Sequence, residues 1–264
     1  MAAPKSSPAE EIIRKSGHGL HSRVVKRLRE LGWAVMISPY YSDNFTDKPR
    51  EIDIIAERAF PVEHPGLSLY GSLIVRLFVE CKYIVGETVF WLDEKDKEGA
   101  VGRIIADTGL GDPRRTGIAR GHHYLTAAPV AKLSQSESGK GDDNDVISRA
   151  INQSLNALVY YRHRELGLAT LKHRENFGRI AYPIIVTNSF DRFHSTLIGG
   201  DETPTKIVQP FQLEVNYAYT DRDRNGHNEY FLIDVVSIDR LADFLSSLEG
   251  TDVAALADAK MRGE

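Results

Sequence analysis

Apolar residues recur at helical spacing near the start of the chain, where Leu20, Val24, Leu28 and Leu31 fall three or four positions apart. The pattern predicts a helix over residues 16–31, with Ser16 as its N-cap and Gly32 as its stop signal. Residues rich in β-formers then predict a strand over 33–41, a polar turn over 41–48 and a second strand over 50–57. A loop over 58–70, punctuated by Pro61, Pro65 and Gly66, leads to an apolar third strand over 72–83. Residues 92–107 read as a helix, 109–120 as a loop and 123–133 as a strand. The Ser, Gly and Asp-rich stretch 134–144 reads as a flexible excursion. An amphipathic helix comes next, over 145–164. Val146, Ala150, Ser154 and Tyr161 form its apolar side, and Ile147, Ile151 and Leu158 widen the stripe. Residues 180–187 read as a buried strand. Residues 207–219 and 230–236 form a hairpin around the charged turn 220–228. Ser237 is placed to cap a last helix over 238–248, and the residues after Thr251 read as a frayed tail.

The resulting expectation is an α/β protein, a central mixed β-sheet flanked by helices. It is expected to be one domain over residues 1–264, with a core at about 16–188 and a C-terminal β-hairpin and helix over 206–249. With 42% hydrophobic residues, the 264-residue chain can bury a sizeable core. The formal net charge of -4 argues against a general polyanion binder, so contact with nucleic acid must come from local basic patches. The single cysteine, Cys81, rules out an internal disulfide framework and fits a reducing compartment. The first residues lack an apolar run of signal-peptide type, and no stretch approaches eighteen apolar residues. A cytoplasmic protein with no membrane association is expected.

Two short segments carry the candidate chemistry. The first is Arg50-Glu51-Ile52-Asp53-Ile54-Ile55-Ala56, the second Leu77-Phe78-Val79-Glu80-Cys81-Lys82-Tyr83. Residues two apart on a strand share a face, so Glu51 is paired with Asp53, and Glu80 with Lys82. These charges sit among apolar neighbours. A buried carboxylate is costly unless it is paired or bound to a cation. A divalent ion shared by Asp53 and Glu80 would resolve that cost. Their hard oxygens suit magnesium or manganese, which accept phosphate oxygens in the same shell. Lys82 then reaches an attacking water or the scissile phosphate. The expected reaction is phosphodiester hydrolysis, with Asp53 and Glu80 as metal ligands.

An acidic residue on a second strand, then Glu-x-Lys on a third, resembles the signature of the PD-(D/E)XK, restriction-endonuclease-like nucleases. Glu51-Ile52-Asp53-Ile54-Ile55-Ala56 is similar to the segment of the Holliday-junction-resolvase-like and Mrr-like branches. Ser16-Gly17-His18-Gly19-Leu20-His21, running into Val24-Val25 and Leu31-Gly32-Trp33, resembles the first helix and next strand of that family. The likeness is good over 16–83 and looser through the 145–164 helix and the 180–187 strand. It implies a magnesium-dependent DNA endonuclease of a restriction or anti-phage system, a homodimer that cuts both strands, and a defence-system partner protein. Relatives carry a metal-binding glutamate in the first helix, where this chain has His21. That position is a candidate ligand, proton-transfer group or substrate contact. Relatives also present a glutamine from the later helix to the active site, which makes Gln153 a further candidate.

Basic residues cluster around Arg23 to Arg29, at Arg114, Arg115 and Arg120, and from Arg162 to Arg174. Solvated surface accounts for any one of them. Together they could grip phosphates, and the glycine-rich loop with Arg114, Arg115 and Arg120 is the favoured element. His122 and His123, being adjacent on the expected strand, should face opposite ways and not share an ion. Two other readings keep the fold. One is a nucleic-acid-binding or assembly subunit without catalysis. The other is a partner-activated nuclease acting on RNA.

Overall fold

The computed structural model describes residues 7–15, 17–64, 69–108, 121–126, 128–137, 146–170, 176–201, 203–221 and 223–261. Among these the chain is an α/β protein built on a ten-stranded mixed sheet with helices on both faces.

After α1 (Pro8–Lys15), α2 (His18–Glu30) is the expected first helix. Its apolar stripe of Leu20, Val24, Val25 and Leu28 is buried. Gly32 ends it with φ +79, a left-handed conformation that glycine adopts without a Cβ clash. Its N–H donates to Arg29, and that of Trp33 to Leu28. Gly17 stands at the N-cap, and Ser16 lies outside the described residues.

The expected strand over 33–41 is two strands, β1 (Ala34–Ile37) and β2 (Tyr40–Ser42). Ser38, at φ 51, and Pro39 break it. The second expected strand is broken as well. β3 (Pro49–Glu51) pairs only with β2, and β4 (Ile54–His64) begins past a bend at Asp53. β4 takes in residues 58–64 of the segment that reads as a loop, and residues 65–68 lie outside the described residues. Pro61 is tolerated there because β1, the outer neighbour of β4, reaches only to Glu57. The long β5 (Leu69–Lys82) is antiparallel to β4 and parallel to β8 (Asn176–Thr187).

Residues 88–93 form β6 (Thr88–Asp93), so the helix expected from 92 starts later, as α3 (Lys97–Thr108). Asp96 initiates α3: its carboxylate accepts the Gly99 N–H at 2.9 Å and its carbonyl the Ala100 N–H at 3.0 Å. Gly99 also lets the ring of Tyr230 lie against the helix, since a Cβ there would sit 2.6 Å from it. The strand expected over 123–133 is instead a 3-10 turn (His123–Leu125) and then β7 (Val130–Ser136). Part of the expected excursion, residues 134–136, therefore belongs to a strand; residues 138–145 lie outside the described set. α4 (Val146–Tyr161) matches the amphipathic reading.

Two short strands, β9 (Phe193–Leu197) and β10 (Thr205–Lys206), carry no clear sequence signal. The hairpin is present as β11 (Phe211–Thr220) and β12 (Gly226–Ser237), paired from Phe211↔Val235 to Thr220↔Gly226. Ser237 makes no side-chain cap. The last helical region opens with a 3-10 turn and continues as α5 (Leu241–Leu248), a π-turn (Glu249–Val253) and α6 (Ala254–Met261). The expected frayed tail is packed instead, with Asp252, Val253, Leu256 and Ala259 buried.

The sheet order is β1-β4-β5-β8-β12-β11-β7-β6-β9-β10. Strand alternation splits its side chains between two cores. Leu77, Val79, Ile184 and Val236 pack beneath α2, α3, α5 and α6. Phe78, Ile185, Ile233 and Val235 pack beneath α4. The seam between β11 and β7 is thin, with Leu213↔Ala131 as its one ladder pair. Phe211 bridges that seam, its ring centroid 4.8 Å from that of Phe90.

The end of α4 is tied to the sheet by Arg76 of β5, whose side chain is 0% exposed. Its guanidinium pairs with Glu57 at 2.6 Å and donates to the carbonyls of Tyr161 at 2.8 Å and Arg164 at 2.9 Å. The other oxygen of Glu57 accepts the N–H groups of Leu168 and Ala169. One buried ion pair thus ties the last residue of α4 and the turn after it to the sheet.

Candidate active site

Glu80 and Lys82 alternate with Val79 and Cys81 on β5, so they point to the α4 side of the sheet. Asp53 arrives opposite them from the bend before β4. The β4–β5 ladder stops at Ile54↔Val79. Beyond it, side chains replace main-chain pairing. The Asp53 carboxylate accepts the Cys81 N–H at 2.7 Å, and the Asp53 N–H donates to Glu80 at 3.4 Å. The bend therefore places Asp53 against Glu80 without the regular strand expected there.

Lys82 Nζ donates to Glu80 Oε2 at 2.7 Å and to Gln153 Oε1 at 2.9 Å. Gln153, on α4, is held in turn by its amide's donation to the Glu51 carbonyl at 3.4 Å. Four of the residues expected at the site, Asp53, Glu80, Lys82 and Gln153, are thus joined in one hydrogen-bonded set. Glu80 is 0% exposed, while Lys82, at 18%, reaches a cleft of about 780 Å³ between α4, β11 and the 43–46 turn.

Burial raises the Glu80 carboxyl from its ordinary 4.5 to about 7, and the Asp53 charge adds to this while Lys82 opposes it. The sign of the resulting linkage is fixed. A carboxyl whose folded value is raised contributes stability in full below pH 4.5, and loses it as pH rises through about 7. Without divalent metal, the wild type should lose about 3 kcal/mol between pH 4.5 and 8 relative to Glu80→Gln. Urea titrations in EDTA at both pH values check this; equal pH slopes for the two proteins would contradict it.

The donor set fits a hard divalent cation. Two carboxylates are near enough for the Asp53 charge to act on Glu80, one is fully buried, and each keeps an oxygen with little or no competing bond. Asp53 Oδ1 has no hydrogen bond among the described residues, and Glu80 Oε1 accepts only the 3.4 Å contact. His21 stands apart. Its helix packs against the opposite face of the sheet, and no hydrogen bond joins it to the four residues. Its Nε2 is buried without a partner among the described residues, a costly state that a bound ion or water would relieve. Arg114, Arg115 and Arg120, and the loop that holds them, lie outside the described residues.

A second polar cluster escapes sequence reasoning. His122 and His123 do not splay from a strand; their rings stack 5.4 Å apart and both approach Asp252. His122, His123 and Asp252 have the spacing of a metal site. Hydrogen bonding argues for a proton network instead. His122 Nδ1 accepts the Tyr124 N–H, which leaves its proton on Nε2, the atom facing Asp252. His123 donates from one nitrogen to Asp252 and from the other to Asp234. Burial pulls His123 down, but those two carboxylates prevail and hold it at about 10, a permanent imidazolium. Tyr182 also donates to Asp252 at 2.7 Å. The adjacent histidines are a visible signal, but their partners lie too far along the chain for spacing to reveal.

No helix among the described residues is long and apolar enough to cross a membrane. No protein-family model, curated protein or solved structure matches this chain.

Proposed function

We propose that this chain is a divalent-metal-dependent nuclease of the restriction-endonuclease-like PD-(D/E)XK class, hydrolysing phosphodiester bonds in DNA. The observation that carries the reading is the convergence of Asp53, Glu80, Lys82 and Gln153 at the adjoining ends of β4 and β5, with Lys82 opening on a cleft.

Asp53 and Glu80 would hold magnesium or manganese through their free oxygens. Such a cation, when bound, supplies Lewis-acid polarisation of the phosphate and an acidified water. The protein's own groups do the positioning. The Cys81 N–H fixes the rotation of the Asp53 carboxylate. Lys82 Nζ has three donors, of which Glu80 and Gln153 take two. The third is free to bind the attacking water or a phosphate oxygen and to stabilise charge that builds there. Gln153 keeps the ammonium from collapsing wholly onto Glu80.

One observation favours the rival, non-catalytic subunit: Lys82 is neutralised by Glu80 rather than aimed freely into the cleft. A cleavage assay separates the readings. Purified protein is incubated with plasmid, single-stranded DNA and RNA, in EDTA, magnesium or manganese. The proposal expects cutting only with a divalent ion. No cutting of any substrate would favour the inactive subunit, and cutting of RNA alone the ribonuclease.

A further inference from the structure

The cleft above Lys82 has a neighbour. A second cavity, of about 290 Å³, lies beside it along α4 and β11. The same face of α4 lines both. Arg149, Asn152 and Asn156 border the first and Val159 the second, in steps of three and four residues, and His163 follows just past the helix end. β11 does the same, with Tyr217 in the first cavity and Tyr219 in the second. The opposite wall is the 43–46 turn, which gives Phe45 to the first and Asn44 to the second. Asn44 donates to Asn156 at 3.0 Å and forms a sill between them. Along α4, Arg149 and Val159 are about 15 Å apart, the length of roughly four stacked nucleotides of one strand.

Phe45 is the distinctive element. Its side chain is 60% exposed, yet the turn beneath it is rigidly tied. The Asp43 carboxylate accepts the N–H of Phe45 at 3.1 Å, the N–H of Thr46 at 2.9 Å and the Thr46 hydroxyl at 2.9 Å. An aromatic ring is thus presented to solvent at the rim of a polar groove. Positive charge flanks it. Arg50 leans on Asp43 at 3.6 Å, Lys82 lies at the floor, and exposed Arg149 has no ion pair among the described residues. Arg162 at the far end is engaged by Glu229, Arg164 lies over the Tyr160 ring and Asp221 and Asp223 border that end, so the cation left to meet a phosphate is Arg149, at the Lys82 end.

We infer that this groove binds one unpaired strand of nucleic acid, with a base stacked on Phe45 and the backbone held by Arg50 and Arg149. A ring face can stack only on a base face that is not already covered, and stacking of this kind tolerates any sequence. Bases inside a duplex offer no such face. The net charge of -4 also provides no broad cationic surface for a duplex. The inference rests on the nuclease reading for the direction in which the strand is fed, towards Lys82, but binding is measurable without cutting.

The test is fluorescence anisotropy in EDTA, using a fluorescein-labelled oligothymidylate, an oligouridylate and a blunt DNA duplex of equal length. Single strands of either sugar should bind at least ~10-fold tighter than the duplex. Phe45→Ala should weaken single-strand binding by ~5- to 100-fold and leave duplex binding unchanged. Arg149→Gln should weaken it and lower the salt slope by about 0.7. Val208→Ala, an exposed apolar residue bordering a different cavity, is the control and should change nothing. Circular dichroism confirms that each variant is folded. Equal or tighter duplex binding, or an unaltered Phe45→Ala, would overturn the inference. Single-strand binding with these dependences, but no metal-dependent cutting, would leave the groove standing and remove the nuclease. Cutting that ignores Phe45 would do the reverse.

Discussion

A Lys82→Ala protein is expected to remain folded and to cut nucleic acid about 100- to 1,000-fold more slowly than wild type in magnesium. The rate falls because the ammonium is the one cationic donor in the set that faces the cleft. The fold survives because Glu80, already near 7, takes up a proton once its partner is gone. The stability cost at pH 7 should therefore stay near ~1 kcal/mol, and should grow towards pH 8. Lys82→Arg should not restore the rate, since a planar guanidinium cannot occupy the same point between Glu80 and Gln153. Initial rates on plasmid and single strands, read beside circular dichroism, check both halves. Undiminished cutting by Lys82→Ala would remove the proposed centre.

The largest stability effect should come from a residue far from that chemistry. Arg76→Leu strands the buried Glu57 carboxylate and removes the guanidinium donors to the Tyr161 and Arg164 carbonyls. Removing one partner of a buried pair costs about 3–5 kcal/mol, and the melting temperature of a protein this size should drop by roughly 10 °C. The double variant Arg76→Met/Glu57→Gln should recover part of this. It removes the uncompensated charge but does not restore the two guanidinium donors. Denaturant titrations of the two proteins measure the difference. A single variant within about 1 kcal/mol of wild type would show that the pair is not what secures α4.

Much of this organisation is legible where local pattern and burial agree. Leu20, Val24 and Leu28 mark α2, and Gly32 its end. Val146 to Tyr161 mark α4, and β11 and β12 read as a hairpin. The Glu80–Lys82 spacing puts both charges on one side of β5, and Gln153 does arrive beside them. The failures share a cause: the deciding partner is distant in sequence. Ile52, Ile54 and Ile55 look like one continuous strand. The break at Asp53 exists because its carboxylate takes an N–H from β5 in place of the ladder. Val89, Phe90 and Trp91 carry the β signal of β6, but the charged run after them draws the helix boundary too early. Asp96 begins α3 only after β6 has ended. The segment after Thr251 is polar enough to read as solvent-exposed. It is buried because His122, His123 and Tyr182 await Asp252. Arg149 and Asn156 draw no notice in the sequence, and Arg50 is noticed only as the start of the Asp53 segment, since nothing local distinguishes a groove wall from ordinary surface.

The thin β11–β7 seam has a kinetic meaning. Four strands, β7, β6, β9 and β10, join the other six through one ladder pair, the Lys132–Glu214 ion pair and a patch of stacked rings. Main-chain amides in that quartet can open to solvent while β5, β8 and β12 stay closed, so the sheet comprises two cooperative units of unequal protection rather than one. In deuterium, the outer quartet would exchange first, and the boundary of slow exchange would fall along Phe211.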